Sequence, residues 1–188
     1  PFMKTFLTLS SHEPFDVPMS RLEHPYLNSV AYTDSCLGAF VDTLRQSPLW
    51  ENLLIVFVAD HTMRYPAGIQ EHEVKRHHIP MVWCGGAVRG HRVVEDYASQ
   101  IDLAATLLAQ MHIDYSDFAF SKNIADTTQR HFAYYTYKDG LGYVDAENRA
   151  VYDCDSESWL LKEGAQADTC AKSAQAFLQK LYDDLGSR

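Results

Sequence analysis

The 188-residue chain has no stretch approaching the roughly eighteen consecutive apolar residues that a membrane-spanning helix needs, so no span is expected within it. It also lacks any cluster of Lys and Arg. With a formal charge of -9, this argues against nucleic acid as a partner, because phosphate binding requires a basic surface. Cysteine is sparse: Cys36, Cys84, Cys154 and Cys170 show no C-x-x-C spacing, which argues against a zinc ribbon or a thioredoxin-like motif. Cys36 and Cys84 fall in helical and strand patterns and read as small buried apolar residues. Cys154 and Cys170 lie in polar late segments, where a disulfide and two free thiols are both open. There is no initiator Met, signal peptide or transit-like leader. The chain is therefore expected to be part of a longer polypeptide, with residues that complete a site lying upstream.

What is present is an ordinary globular balance, 46% hydrophobic and 22% charged, at a length able to bury a core. Its centre is Leu-Leu-Ile-Val-Phe-Val-Ala-Asp-His, from Leu53 to His61, an unbroken apolar run that ends in a carboxylate and an imidazole. Such a run reads as a strand buried on both faces, of the kind found inside a parallel sheet. Ligands of open α/β sheets collect beyond the carboxyl ends of the strands, which places Asp60 and His61 at an active edge. A carboxylate beside a neutral imidazole is half of a metal site suited to zinc or manganese; a solvated turn is the plain alternative.

Around this run a β-α-β order is legible. Lys4 to Leu9 reads as a first strand, followed by a polar loop that carries His12. Apolar residues from Leu27 to Leu44 recur at three and four, the pattern of a crossover helix over about His24 to Gln46. If the first strand shares the sheet of Leu53 to Ala59, His12 leaves from the same edge as Asp60 and His61. The polar stretch from Thr62 to His78 holds Arg64, Tyr65, His72, Lys75, Arg76, His77 and His78. Loop cations there suit an anionic substrate, although a solvated loop explains each residue singly.

Ile79 to Cys84 predicts another short strand, closed by Gly85-Gly86. Ser99 to Asp102 predicts a helix start in the manner of a capping box, with Asp102 a helix-start residue rather than a catalytic acid. Beyond about Asp114 the texture changes to short strands joined by turns, Phe132 to Tyr137, Leu141 to Val144 and Arg149 to Tyr152, followed by a helix over Asp168 to Leu185. The expected division is residues 1–113 as an α/β portion and 114–188 as a small antiparallel meander with a C-terminal helix.

The ordered set Thr8-Leu-Ser-Ser-His-Glu-Pro-Phe15, Phe57-Val-Ala-Asp-His61, His78-Ile-Pro-Met-Val-Trp83 and Ser99-Gln-Ile-Asp-Leu-Ala-Ala-Thr-Leu-Leu108 resembles the C-terminal half of the sulfatase branch of the alkaline phosphatase superfamily. Within that branch it is most similar to the lipoteichoic-acid-synthase-like phosphoglycerol transferases, over roughly Pro1 to Ile113. The meander from Phe132 to Tyr152 is also similar to the tail of these proteins. The resemblance implies an alkaline-phosphatase/sulfatase-like parallel-sheet core.

It also implies metal-dependent phosphoryl or sulfuryl transfer through a covalent intermediate, with one divalent ion, Mn, Zn, Mg or Ca. Asp60 and His61 match two of the family's metal ligands, and His12 matches a histidine that contacts the transferred phosphate. The family's nucleophile and its remaining acidic ligand match nothing here and are expected upstream, so the fragment alone is expected to be inactive. Thr62 stands where many relatives have Gly. His72 falls near an extra histidine of the related phosphoethanolamine transferases, and His78 and Arg64 are further candidates for substrate contact. The implied partners are a phosphoester or lipid-linked substrate and the upstream half of the same polypeptide. The implied location is the outer side of the cytoplasmic membrane, through N-terminal spans of the parent. A sulfatase or phosphatase acting on a soluble ester, and a non-catalytic partner- or glycan-binding domain, are the competing readings.

Overall fold

Helix α1 (Pro25–Arg45) begins where an imidazole and an amide take over hydrogen bonds the backbone cannot make for itself. His24 Nδ1 accepts from the Tyr26 amide, and Pro25 supplies a first-turn residue whose missing N–H costs nothing. Buried Asn28 accepts from the amides of Arg21 and Leu22 and donates to the carbonyls of Leu22 and His24, pinning the chain as it enters the helix. In this computed structural model, which describes residues 2–188, there follow strands β1 (Ile55–Val58) and β2 (Met81–Cys84) and helix α2 (Asp102–Gln110). Strands β3 (Ala133–Tyr137), β4 (Gly140–Val144), β5 (Arg149–Asp153) and β6 (Ser158–Glu163) and helix α3 (Ala167–Gly186) complete the order. Among the described residues no helix is long and apolar enough to cross a membrane.

The chain gathers into two compact units. The first holds the residues up to Phe57 together with Val82–His91. In it α1 spans the predicted crossover, and β1 and β2 pair in a two-stranded sheet. Both strands are half-buried rather than buried on both faces, with Val58 and Val82 exposed. Gly85, at φ +116°, lies so close to the Leu53 carbonyl that a Cβ there has no room. The predicted first strand does not form: residues 2–9 carry no regular structure, and Met3, Phe6, Leu7 and Leu9 are 84, 87, 73 and 79% exposed. An extended segment becomes a strand only by pairing its amides and carbonyls with a neighbour, and among the described residues none does so.

The second unit holds Val58–Met81 and Arg92–Arg188. Its core is the antiparallel sheet β3-β4-β5-β6 with α3 laid against it: Leu141, Tyr143, Ala150, Cys170, Ala171 and Ala174 are buried together, with Phe132, Tyr152, Trp159 and Leu178 around them. The predicted meander has one strand more than its sequence pattern shows, β6. Cys154 and Cys170 are free thiols, the first exposed and the second wholly buried, which answers the disulfide question.

Helix α2 departs from the capping-box expectation in one half. Asp102 does reach back to the Ser99 amide at 2.7 Å, but Ser99 Oγ turns away to bond the backbone N and O of Tyr134 on β3. Asp102 is a scaffold residue, as expected: its wholly buried carboxylate also accepts from the Lys122 amide and Nζ.

Candidate functional site

Asp60 and His61 stand just past the end of β1, where the chain leaves the strand and the backbone no longer has a sheet partner to dictate its path. Four contacts replace that partner. Gln100 Nε2 donates to the carbonyls of Ala59 and Asp60, at 2.5 and 2.8 Å. Asp60 Oδ1 accepts from the His61 amide at 2.9 Å, and His61 Nδ1 lies 2.9 Å from the Thr62 carbonyl. A carbonyl only accepts, so Nδ1 carries the proton and Nε2 holds the free lone pair.

Nε2 lies 3.6 Å from Asp60 Oδ2, and both side chains are 74% exposed. The separation is too long for a hydrogen bond. It is the span of two ligands that share one ion at about 2.1 Å each. A ligating histidine ordinarily donates its other ring N–H to a carbonyl or carboxylate, as His61 does. The pair therefore fits a divalent metal as two of its ligands. Among the described residues no group of three or more His, Cys, Asp or Glu is placed to hold an ion, so further ligands have to come from elsewhere.

His12 lies in the first unit, on the loop after residues 2–9. The loop is tied to α1 by Ser11 Oγ, 2.9 Å from Thr33 Oγ1, and by Phe15, which packs edge-on against Tyr26 at 5.5 Å. His12 Nδ1 lies 2.9 Å from the Glu13 carbonyl, so this exposed ring also presents Nε2 alone.

The remaining candidates divide. Arg64 and His72 line one cleft of about 570 Å³ with Tyr137, Asp139 and Asp153. Arg64 is paired there with Glu71, so its charge is already matched. The Tyr135 hydroxyl donates to the His72 carbonyl at 3.0 Å. His78 is exposed, at the end of the 3-10 turn Val74–His77, and its side chain has no hydrogen-bond or ion-pair partner among the described residues. His77 is structural: its ring stacks on Tyr135 at 3.9 Å and its Nε2 donates to the Glu71 carbonyl at 2.7 Å. Burial, and then the neighbouring Arg76 cation, push its pKa down to about 4.

Sequence reasoning missed the role of Gln100 and read Arg76 only as one of the loop cations between Thr62 and His78. Gln100 holds the strand end as described. Arg76 Nη1 donates at 2.6 Å to the Thr62 carbonyl that also accepts from His61. The threonine that departs from the expected Gly is thus locked in place, its hydroxyl bonded to Arg76.

Comparison with known proteins identifies the family and the fold. The sulfatase family model matches residues 1–113. Lipoteichoic acid synthase 2 of Bacillus subtilis is 25% identical over 150 residues, covering 64% of this chain and 22% of that protein. The lipoteichoic acid synthase-like YvgJ of the same organism is 35% identical over 72 residues, covering 32% of this chain and 12% of that protein. The chain thus spans less than a quarter of the curated relatives it matches. A crystal structure of an alkaline phosphatase superfamily protein from Vibrio parahaemolyticus superposes with a TM-score of 0.68 at 24% identity, covering 93% of this chain and 48% of that one. The fold is α/β, that of the alkaline phosphatase superfamily, and the chain belongs to the sulfatase family.

Proposed function

We propose that this chain is the C-terminal portion of a metal-dependent phosphoryl-transfer enzyme of the phosphoglycerol transferase type, with a nucleophile supplied from outside residues 1–188. The observation that carries the reading is His61, whose Nδ1 is committed to a carbonyl while its Nε2 lies 3.6 Å from the Asp60 carboxylate. When bound, a divalent ion supplies Lewis-acid polarisation of the phosphoryl oxygens and a lowered pKa for the attacking hydroxyl. Asp60 and His61 hold that ion. His12, with only Nε2 presented, hydrogen-bonds the transferred group or moves a proton to the leaving oxygen at that atom.

The similarity to lipoteichoic acid synthases supports a lipid-linked glycerophosphate substrate and a working place on the outer side of the cytoplasmic membrane, reached through a membrane-anchored parent. The exposed apolar residues 2–9 support the reading that more of the same polypeptide packs there. The sulfatase family match supports a second reading, hydrolysis of a soluble sulfate or phosphate ester at the same pair.

The test is the full-length protein with a glycerophosphate-bearing lipid, a polyol acceptor and, separately, an aryl sulfate. Transfer of glycerophosphate to the acceptor is the expected result. Release of sulfate alone establishes the second reading, and no turnover of either compound contradicts both.

A further inference from the structure

We propose that Arg76 is a positioning residue that, through the Thr62 carbonyl, keeps His61 in the tautomer able to bind metal. The inference rests on the metal reading proposed above. A neutral imidazole exposed to water exchanges between two tautomers, and only the one with Nδ1 protonated leaves Nε2 free to ligate. What selects it here is the Thr62 carbonyl, 2.9 Å from Nδ1. That carbonyl is itself held at 2.6 Å by the Arg76 guanidinium.

The clamp has two sides, since Arg76 Nη1 also meets Thr62 Oγ1 and the Thr62 hydroxyl donates to the Arg76 carbonyl. Arg76 Nε is buried without a hydrogen-bond partner among the described residues, and Nη1 holds the guanidinium to Thr62. The turn that carries Arg76 is anchored on the sheet: His77 stacks on Tyr135, and the Tyr135 hydroxyl bonds the His72 carbonyl. Rigidity therefore passes from β3 through the 3-10 turn to Thr62 and so to the His61 ring. Partners of this outer kind typically change metal affinity by about 10- to 100-fold when removed.

The experiment uses the full-length protein with 15N-labelled histidine, at a pH above the imidazole range. Long-range proton–nitrogen correlations read the His61 tautomer, and Zn2+ alone is titrated against a chromophoric chelator. Wild type is expected to show a single Nδ1–H tautomer. Arg76→Ala is expected to show a mixture and Zn2+ binding weaker by about 10- to 100-fold. Arg76→Lys, which replaces a fork by a single donor, is expected to fall between them. Lys75→Ala, on the same turn but exposed, is expected to match wild type in both. Wild-type tautomer and affinity in a folded Arg76→Ala overturn the proposal. Should that variant not fold, the same two values unchanged in Arg76→Lys overturn it. If wild type itself binds no Zn2+, the metal reading fails, and the tautomer comparison alone then decides the role of Arg76.

Discussion

The Lys122 ammonium donates at 2.5 Å to the wholly buried carboxylate of Asp102 and lies 4.0 Å above the centre of the Phe132 ring. Burial lowers the Lys122 pKa despite the carboxylate beside it, so each charge depends on the other for its place in the interior. Asp102→Ala leaves a cation in that place with no counter-charge and is expected to destabilise the second unit by about 3–5 kcal/mol. Urea unfolding of the variant beside wild type checks this through the shift in midpoint; an unchanged midpoint means the pair is idle.

Stability should depend on pH through His77. Its folded pKa is lowered from 6.5 to about 4, so the folded state binds fewer protons than the unfolded state between those values. The contribution is present above pH 6.5 and lost as the pH falls towards 4. His77→Phe keeps a ring to stack on Tyr135 but removes the titration. Its melting temperature is expected to fall less steeply than wild type across that window, as followed by circular dichroism.

Gly142 pairs with Tyr135 in the β3–β4 register, and a Cβ at Gly142 would occupy the space of the Tyr135 ring. Gly142→Ala is therefore expected to cost about 1–3 kcal/mol by overpacking. It should also displace Tyr135 from His77, which near-ultraviolet dichroism of the tyrosine registers as a lost band.

The thiols should separate by reactivity. Cys154 is exposed, whereas Cys170 is wholly buried against the sheet and burial pushes its thiol up to about 11. An aromatic disulfide reagent is expected to label Cys154 within the native protein and Cys170 only after unfolding. Mapping the labelled peptides by mass spectrometry checks the order, and native labelling of Cys170 would show that α3 does not seat as described.

Periodicity carried much of the fold. The recurrence from Leu27 to Leu44 gave α1, and the apolar runs at Leu53 and Ile79 gave β1 and β2, because burial acts on the same residues that form the pattern. Residues 2–9 have an equally apolar pattern and form no strand, since a pattern records what a segment is able to bury and not whether a neighbour stands beside it. Strand β6 went unseen because its outward Leu160 and inward Trp159 and Leu161 blur the alternation. At the site, Asp60 and His61 were legible from their position at a strand end. The roles of Gln100 and Arg76 were not: these residues act 40 and 14 residues away through backbone carbonyls, which every residue has, so no pairing of residue types announces them.

Metal content of the full-length protein decides whether Asp60 and His61 together hold a metal. Wild type, Asp60→Ala, His61→Ala and His12→Ala are purified in parallel and analysed by mass spectrometry of the elements. About one divalent ion is expected in wild type and in His12→Ala, and loss of the ion in both Asp60→Ala and His61→Ala. An equal metal content in all four proteins, or none in wild type, contradicts a metal site at the pair.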